Sequence, residues 1–273
     1  MSKIVLVTGS TDGIGKQTAL ELGQLGWQVI VHARSLERGQ AALAGLRQQA
    51  PGAHFELAVA DLASLAQVRR LAADLNARLP HLDVLLNNAG VKPLQRLTTE
   101  DGLELTFAVN HLSHFLLTHL LLDKLRAAPQ GRVITVSSMA HHHGRMHFDD
   151  LQFVRGWDSG LAYAQSKLAN VLFAFGLARR LAGTAVTSNA VHPGVVTTKL
   201  LTEGFGVSGM NLADGAWSNV HTATAPELAG VTGQYGGVTR EKPQRAALDV
   251  RQQDRLWAIS EQLAGLPLPQ AQA

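Results

Sequence analysis

The stretch K-I-V-L-V-T-G-S-T-D-G-I-G, residues 3 to 15, sets the architecture. A short β-branched apolar run ends at Thr8 and passes through Gly9, Gly13 and Gly15 directly into a helical pattern. A strand with no polar side predicts burial on both faces, and so a parallel sheet with helices above and below it. The three glycines let the chain turn tightly and let a pyrophosphate approach the backbone. Its charge would be stabilised there by the free N–H groups and the positive dipole end of the following helix. The spacing is G-x-x-x-G-x-G rather than G-x-G-x-x-G, and the competing reading is an ordinary strand-to-helix turn.

Outward from this loop, Val/Ile/Leu-rich runs alternate with longer helical patterns, the signature of repeated βαβ units. Strands are expected at residues 3–8, 28–32, 54–60, 84–87, 131–137 and 185–192, with a weaker one at 233–236. Helices are expected near 14–25, 36–49, 64–79, 101–127, 161–182, 211–224 and 250–264. The fold class is therefore α/β: a single-domain, Rossmann-like, doubly wound parallel sheet of about seven strands in the order 3-2-1-4-5-6-7, helices on both faces. Segments 139–160 and 193–210 lack a regular period and follow strands, where ligands bind in such sheets. Residues 193–224 are a candidate substrate lid and 265–273 a flexible Pro/Gln/Ala tail.

A chain of 273 residues, 46% hydrophobic and 16% charged, can bury one large core. The formal charge of +3 is scattered, with no basic patch interleaved with aromatics, which argues against a nucleic-acid partner. There are no cysteines, which excludes disulfides, thiolate catalysis and cysteine zinc sites. The first strand opens at Lys3 with no signal core ahead of it and no apolar run reaches 18 residues, so a cytoplasmic protein without a membrane anchor is expected.

The second strand ends in His32, Ala33 and Arg34. An NAD site would place a carboxylate there for the ribose hydroxyls; Ala33 removes that repulsion, and Arg34 can pair with a 2′-phosphate. NADP(H) is accordingly expected over NAD(H), with Asp12 working against it by adding a negative charge to the loop. Tyr163 and Lys167 stand four residues apart in L-A-Y-A-Q-S-K-L-A-N-V-L-F-A-F, which sets a phenol and an ammonium on one helical face. At a separation of about 4 Å and an effective dielectric of about 20, such a cation could lower the phenol from about 10 toward roughly 7.

Together, T-G-x-x-x-G-I-G, Asn87-Asn88-Ala89-Gly90, Asn110 in V-N-H-L-S-H-F, V-S-S ending at Ser138, Tyr163-x-x-x-Lys167 and His192-Pro193-Gly194 resemble the short-chain dehydrogenase/reductase family. The stretches G-R-M-H-F-D-D-L, Y-A-Q-S-K-L-A-N-V-L-F and R-L-W-A-I-S-E look most like its retinol-dehydrogenase-like branch. The resemblance implies hydride transfer between nicotinamide C4 and a carbonyl or alcohol carbon of a small apolar substrate. Tyr163 would be the general acid/base, Ser138 would hydrogen-bond the reacting oxygen, Lys167 would hold the nicotinamide ribose and acidify Tyr163, and Asn110 would fix a water. It also implies a cofactor lining of Gly9, Ser10, Thr11, Gly13, Ile14 and Gly15 at the pyrophosphate, with Asp61 and Leu62 at the adenine. Asn88, Ala89 and Gly90 would lie on the adenosine side, and Pro193, Gly194 and Thr198 at the nicotinamide amide. A structural role competes for Asn88, and a lid-starting role for Thr198. Many members of the branch carry a membrane segment before the glycine loop, which weakens a membrane-dissolved retinoid as the substrate here.

His141-His142-His143 with His147 lacks a converging metal-ligand spacing, and no metal is expected. His111 and His114 read as helix packing. Met146, Phe148, Phe153, Trp157, Phe205 and Met210 are candidate pocket walls, some of them core instead. Helices 101–127 and 161–182 would either pair across a two-fold axis in a homodimer or homotetramer, or be covered within one chain. Two further functions compete: an NADP(H)-binding regulator or scaffold without turnover, and a light-driven double-bond reductase, which the lack of cysteine disfavours.

Overall fold

The computed structural model describes residues 2–236 and 240–266; most of the expected tail, from 267, lies outside them. Among the described residues seven parallel strands form one sheet in the order β3-β2-β1-β4-β5-β6-β7. These are β1 (Ile4–Val7), β2 (Gln28–Ala33), β3 (His54–Val59), β4 (Val84–Asn87), β5 (Arg132–Val136), β6 (Thr187–Val191) and β7 (Tyr235–Gly236). The side-chain alternation of the central strands builds two cores. Ile4, Leu6, Ile30, Leu85 and Val133 enter one, and Val5, Val7, Val29, Val31, Val84, Leu86 and Ile134 the other.

On the first face lie α3 (Leu65–Arg78), α5 (Ser113–Arg126) and α6 (Ser159–Arg180); on the second lie α1 (Gly13–Gln24), α2 (Leu36–Gln49) and α8 (Leu212–Thr224). The helix expected at 101–127 begins later. Gly102 has φ +76°, and the Glu104 carboxylate accepts from Phe107 N at 2.7 Å to start α4 (Leu105–Phe107), which passes through a π-turn (Ala108–Leu112) into α5. This rod, Leu105–Arg126, is long and apolar enough to cross a membrane, but 78% of its most apolar window is buried inside the protein.

Segment 193–210 is not wholly irregular: it carries α7 (Lys199–Phe205), capped by Thr198, and is closed by Met210 N donating to Val195 O and Thr197 N to Met210 O. α8 packs on α1, with Asn219 donating to Thr18, so only 193–210 of the expected lid spans the groove. The last helix, α9 (Val250–Leu263), lies across α5 and α6, where Trp257 meets Phe115 edge-on and stacks on Phe173.

Candidate active site

Strand β1 delivers the glycine loop to the sheet's carboxyl edge, and α1 starts at Gly13 under a cap from the Asp12 carboxylate. Gly9 has φ +64°, and a Cβ there would lie 2.9 Å from Ala89 Cα. A Cβ on Gly15 would strike Asn88 Nδ2 and sit 2.6 Å from Gly9 O. The loop is thus pressed against the β4 loop in a cradle that only glycine permits, with Ile14 and Gly15 supplying open first-turn N–H groups. A pyrophosphate fits this donor set.

Several expected cofactor residues are occupied otherwise. The Ser10 hydroxyl donates to Val7 O and accepts from His32 N, and its own N–H goes to His32 O, so both of its donors are engaged within the protein. The Leu62 side chain belongs to the core, which leaves only its backbone to face the groove. Asp61 turns one oxygen to Ala63 N at 3.0 Å. Asn88 Nδ2 donates to Thr8 O at 2.8 Å, which makes its side chain a brace between β1 and β4. Thr11, Gly13 and Ile14 remain partly open at the loop, and Ala89 lines its far wall against Gly9.

Arg34 is exposed at the end of β2, with no hydrogen bond or ion pair among the described residues. The opposing charge of Asp12 is met by Lys199, whose Nζ is 2.7 Å from Asp12 Oδ2 and holds that carboxyl below its usual range.

At the other end of the groove, β5 and α6 bring the chemistry together. Lys167 Nζ and Asn170 Nδ2 both donate to Val136 O, at 3.1 and 3.0 Å, and Ser137 Oγ donates to Lys167 O at 2.8 Å. Ser137 is therefore spent in stitching α6 to β5, while Ser138, whose Oγ accepts from Ala140 N at 3.2 Å, acts on Tyr163 as the one group that lowers its pKa. Lys167 Nζ lies 5.5 Å from the Tyr163 ring centroid, and Gly90 faces Lys167 Nζ. The expected acidification of Tyr163 is absent. Burial of the phenol at 6% exposure pushes it up to about 12, opposed only by the Ser138 hydrogen bond, and burial brings Lys167 down to about 8.

Asn110 sits in the π-turn. Its amide donates to Val91 O and Ser166 Oγ, and its Oδ1 accepts from Val91 N at 2.7 Å, so it braces the β4 loop against α6. Pro193 and Gly194 follow β6; Gly194 N donates to His192 Nδ1, and His192 Nε2 reaches Glu241 at 2.8 Å. Thr198 caps α7, with its hydroxyl accepting from Leu201 N, and its methyl lies against Gly13.

Of the candidate pocket walls, Phe205 meets Tyr163 edge-on at 5.5 Å and Met210 borders Gly194. Phe153 is buried against His147 and Trp157 donates to the buried Glu104, while Met146 and Phe148, partly buried against the cluster of Leu168, Leu172 and Tyr235, line a separate surface cavity with Asp149 and Arg255. No three His, Asp or Glu among the described residues are placed to hold a metal.

Lys92 and Lys199 carry no assignment in the sequence, where His32 and His114 read only as a strand end and as helix packing. Lys92 and Lys199 fasten α7 from either side. His32 accepts from Gly9 N at 3.0 Å, and His114 bridges Thr8 Oγ1 and Asn110 O, both at 3.1 Å. The spacing of His114, one turn after Asn110, was the one available signal.

A parallel sheet in this order with a glycine loop at one end of its groove and Ser138, Tyr163 and Lys167 at the other defines a dinucleotide-dependent dehydrogenase. The short chain dehydrogenase family model matches residues 3–205, and the chain belongs to that family, in its retinol-dehydrogenase-like branch. It is similar to human retinol dehydrogenase 13, at 43% identity over 98% of this chain and 86% of that protein. The crystal structure of an uncharacterized protein from Mycobacterium paratuberculosis superposes with TM-score 0.82 at 35% identity, over 98% of this chain and 95% of that one. The Pseudomonas aeruginosa RhlG/NADP active-site complex superposes with TM-score 0.71 at 26% identity, over 86% and 94%.

Proposed function

We propose that this family member is an NADP(H)-dependent oxidoreductase acting between an apolar aldehyde or ketone and the corresponding alcohol. The observation that carries the reading is the meeting of Ser138, Tyr163 and Lys167 at the end of β5, beside Gly90 and under Phe205. A nicotinamide held along the groove supplies the hydride. In reduction, the Tyr163 hydroxyl gives its proton to the developing alkoxide oxygen, and the Ser138 hydroxyl donates to the same oxygen. Burial keeps Tyr163 a phenol at neutral pH, the form a proton donor needs. Lys167 places a cation behind the phenol, and Asn110 holds the β4 loop and α6 in register. The preference for the 2′-phosphorylated nucleotide rests on the exposed Arg34 and on Lys199, which offsets Asp12.

With NADPH and a panel of aliphatic and aromatic carbonyls, the purified protein is expected to consume NADPH. Y163F should lose about a thousandfold in kcat while binding NADPH as the parent does. Nucleotide binding with no turnover of any carbonyl or alcohol overturns the reading.

A further inference from the structure

The lid helix α7 crosses the groove and is fastened at both ends. At its start, Lys199 pairs with Asp12 of the glycine loop, but both side chains are largely exposed and solvent screens them. At its end the attachment is of another kind. Lys92, two residues beyond Gly90 in the β4 loop, donates from Nζ to Gly204 O at 2.6 Å and to Ser159 Oγ at 3.1 Å, and the same ammonium lies 4.4 Å from the Phe205 ring centroid.

An ammonium has three donor directions, and here each has a partner. Ser159 is locked in turn, since its hydroxyl donates to Pro93 O at 2.6 Å. The Lys92 stem runs along Gly204, where a Cβ would come within 3.2 Å of its Cδ. The Phe205 ring, 44% exposed, meets the Tyr163 ring edge-on. One half-buried cation therefore joins the end of the lid, the first turn of α6 and the ring that covers the phenol.

We propose that Lys92 is a latch: it holds α7 shut so that Phe205 forms the wall of the substrate slot over Tyr163. It is a positioning residue acting through Phe205. Its closure of the lid stands on geometry alone, whereas its effect on a carbonyl substrate rests on the oxidoreductase reading. Lys92→Met keeps the apolar stem and removes the charge and its donors, and Lys92→Arg restores a cation.

The first readout is limited chymotrypsin cleavage within 199–206 of the intact protein without nucleotide. K92M is expected to be cut there about tenfold faster than wild type, K92R at close to the wild-type rate, and both to keep the wild-type melting temperature. The second readout is kinetic: KM for an aromatic aldehyde should rise about tenfold in K92M with kcat held within about twofold, and return in K92R. Equal cleavage rates in wild type and K92M overturn the latch; faster cleavage with unchanged KM overturns its part in forming the slot. If no carbonyl is turned over at all, the oxidoreductase reading falls and cleavage alone decides the latch. Should K92M fold poorly, S159A removes one of the three contacts and is expected to raise cleavage by a smaller factor; no change in S159A then counts against the latch.

Discussion

Tyr163 shows why a spacing that places two groups on one helical face does not settle their electrostatics. Four residues bring Lys167 beneath the phenol, yet the helix that aligns them also encloses them, and desolvation of the phenolate outweighs the single hydrogen bond from Ser138. The ammonium is weakened by the same burial, to about 8. With a phenol near 12, the phenolate fraction rises tenfold per pH unit throughout the neutral range, so alcohol oxidation should climb by up to about tenfold per unit from about pH 6 to about pH 8. Carbonyl reduction uses the phenol and should stay level there, falling above about pH 8 as Lys167 loses its proton. Initial rates in both directions check this; a level oxidation profile would mean that Tyr163 is already ionised at neutral pH. Arg34 makes a simpler case. It stands exposed at the end of β2 and Ala33 beside it carries no charge, so Arg34→Ala should raise KM for NADPH by about tenfold to a hundredfold, the worth of a charge-assisted hydrogen bond, and leave KM for NADH nearly unchanged. Equal losses for the two nucleotides would remove Arg34 from the selection.

At the scale of elements, the parts legible in the sequence were those in which local pattern and tertiary role agree. β1 and β4 are near-continuous apolar runs and β2 has an apolar centre, and the helices α1, α2 and α3 are capped by Asp12, Ser35 and Ser64. The helix expected at 101–127 starts later because Gly102 turns the chain and Glu104 provides the cap. The π-turn left no trace in composition; it exists because Asn110 and His114 satisfy backbone and side-chain partners on three neighbouring segments. Ser138, Tyr163 and Lys167 come together where a strand end and a helix start fix their positions, whereas Gly90, expected on the adenosine side, lies against Lys167 and Asn110. Lys92 could not be found that way: its partners Ser159 and Gly204 lie 67 and 112 residues away, and nothing local marks a lysine as a latch. The question of how helices 101–127 and 161–182 are covered is answered within the chain for the α5–α6 face that meets α9. Trp257 sits against Phe115 and Phe173, Arg180 lies over the Trp257 ring, and Arg179 pairs with Asp254.

For the molecule as a whole, the histidines decide the acid limit. His32, His111 and His114 are completely buried, and desolvation lowers them to about 4, 3 and 3. Burial holds each neutral, against carbonyl and amide contacts that favour the charged ring. His32 accepts from Gly9 N and donates to Ala60 O, His114 donates to Asn110 O and accepts from Thr8, and His111 bonds Ser260 of α9. In the unfolded chain each titrates near 6.5, so below that pH the unfolded state binds protons that the folded state refuses, and stability falls as pH drops toward the folded values. The slope is about 1.4 kcal/mol per pH unit for each histidine, and by about pH 5 the three together cost roughly 6 kcal/mol, comparable with the whole stability of many domains. Lys167, near 8, is protonated in both states across this window and adds no slope there. Asp12 and Asp254, whose carboxyls are lowered, contribute only once pH nears their ordinary value of 3.8. The melting temperature should therefore hold between about pH 7 and about pH 6.5 and then drop steeply as pH falls, well above the range in which carboxylates titrate. Thermal melts across that range, with proton uptake on unfolding measured at about pH 5, give the count directly: close to four protons are expected, the fourth from His141, which burial also lowers to about 4, and an uptake near zero would mean that these rings are already charged in the folded protein.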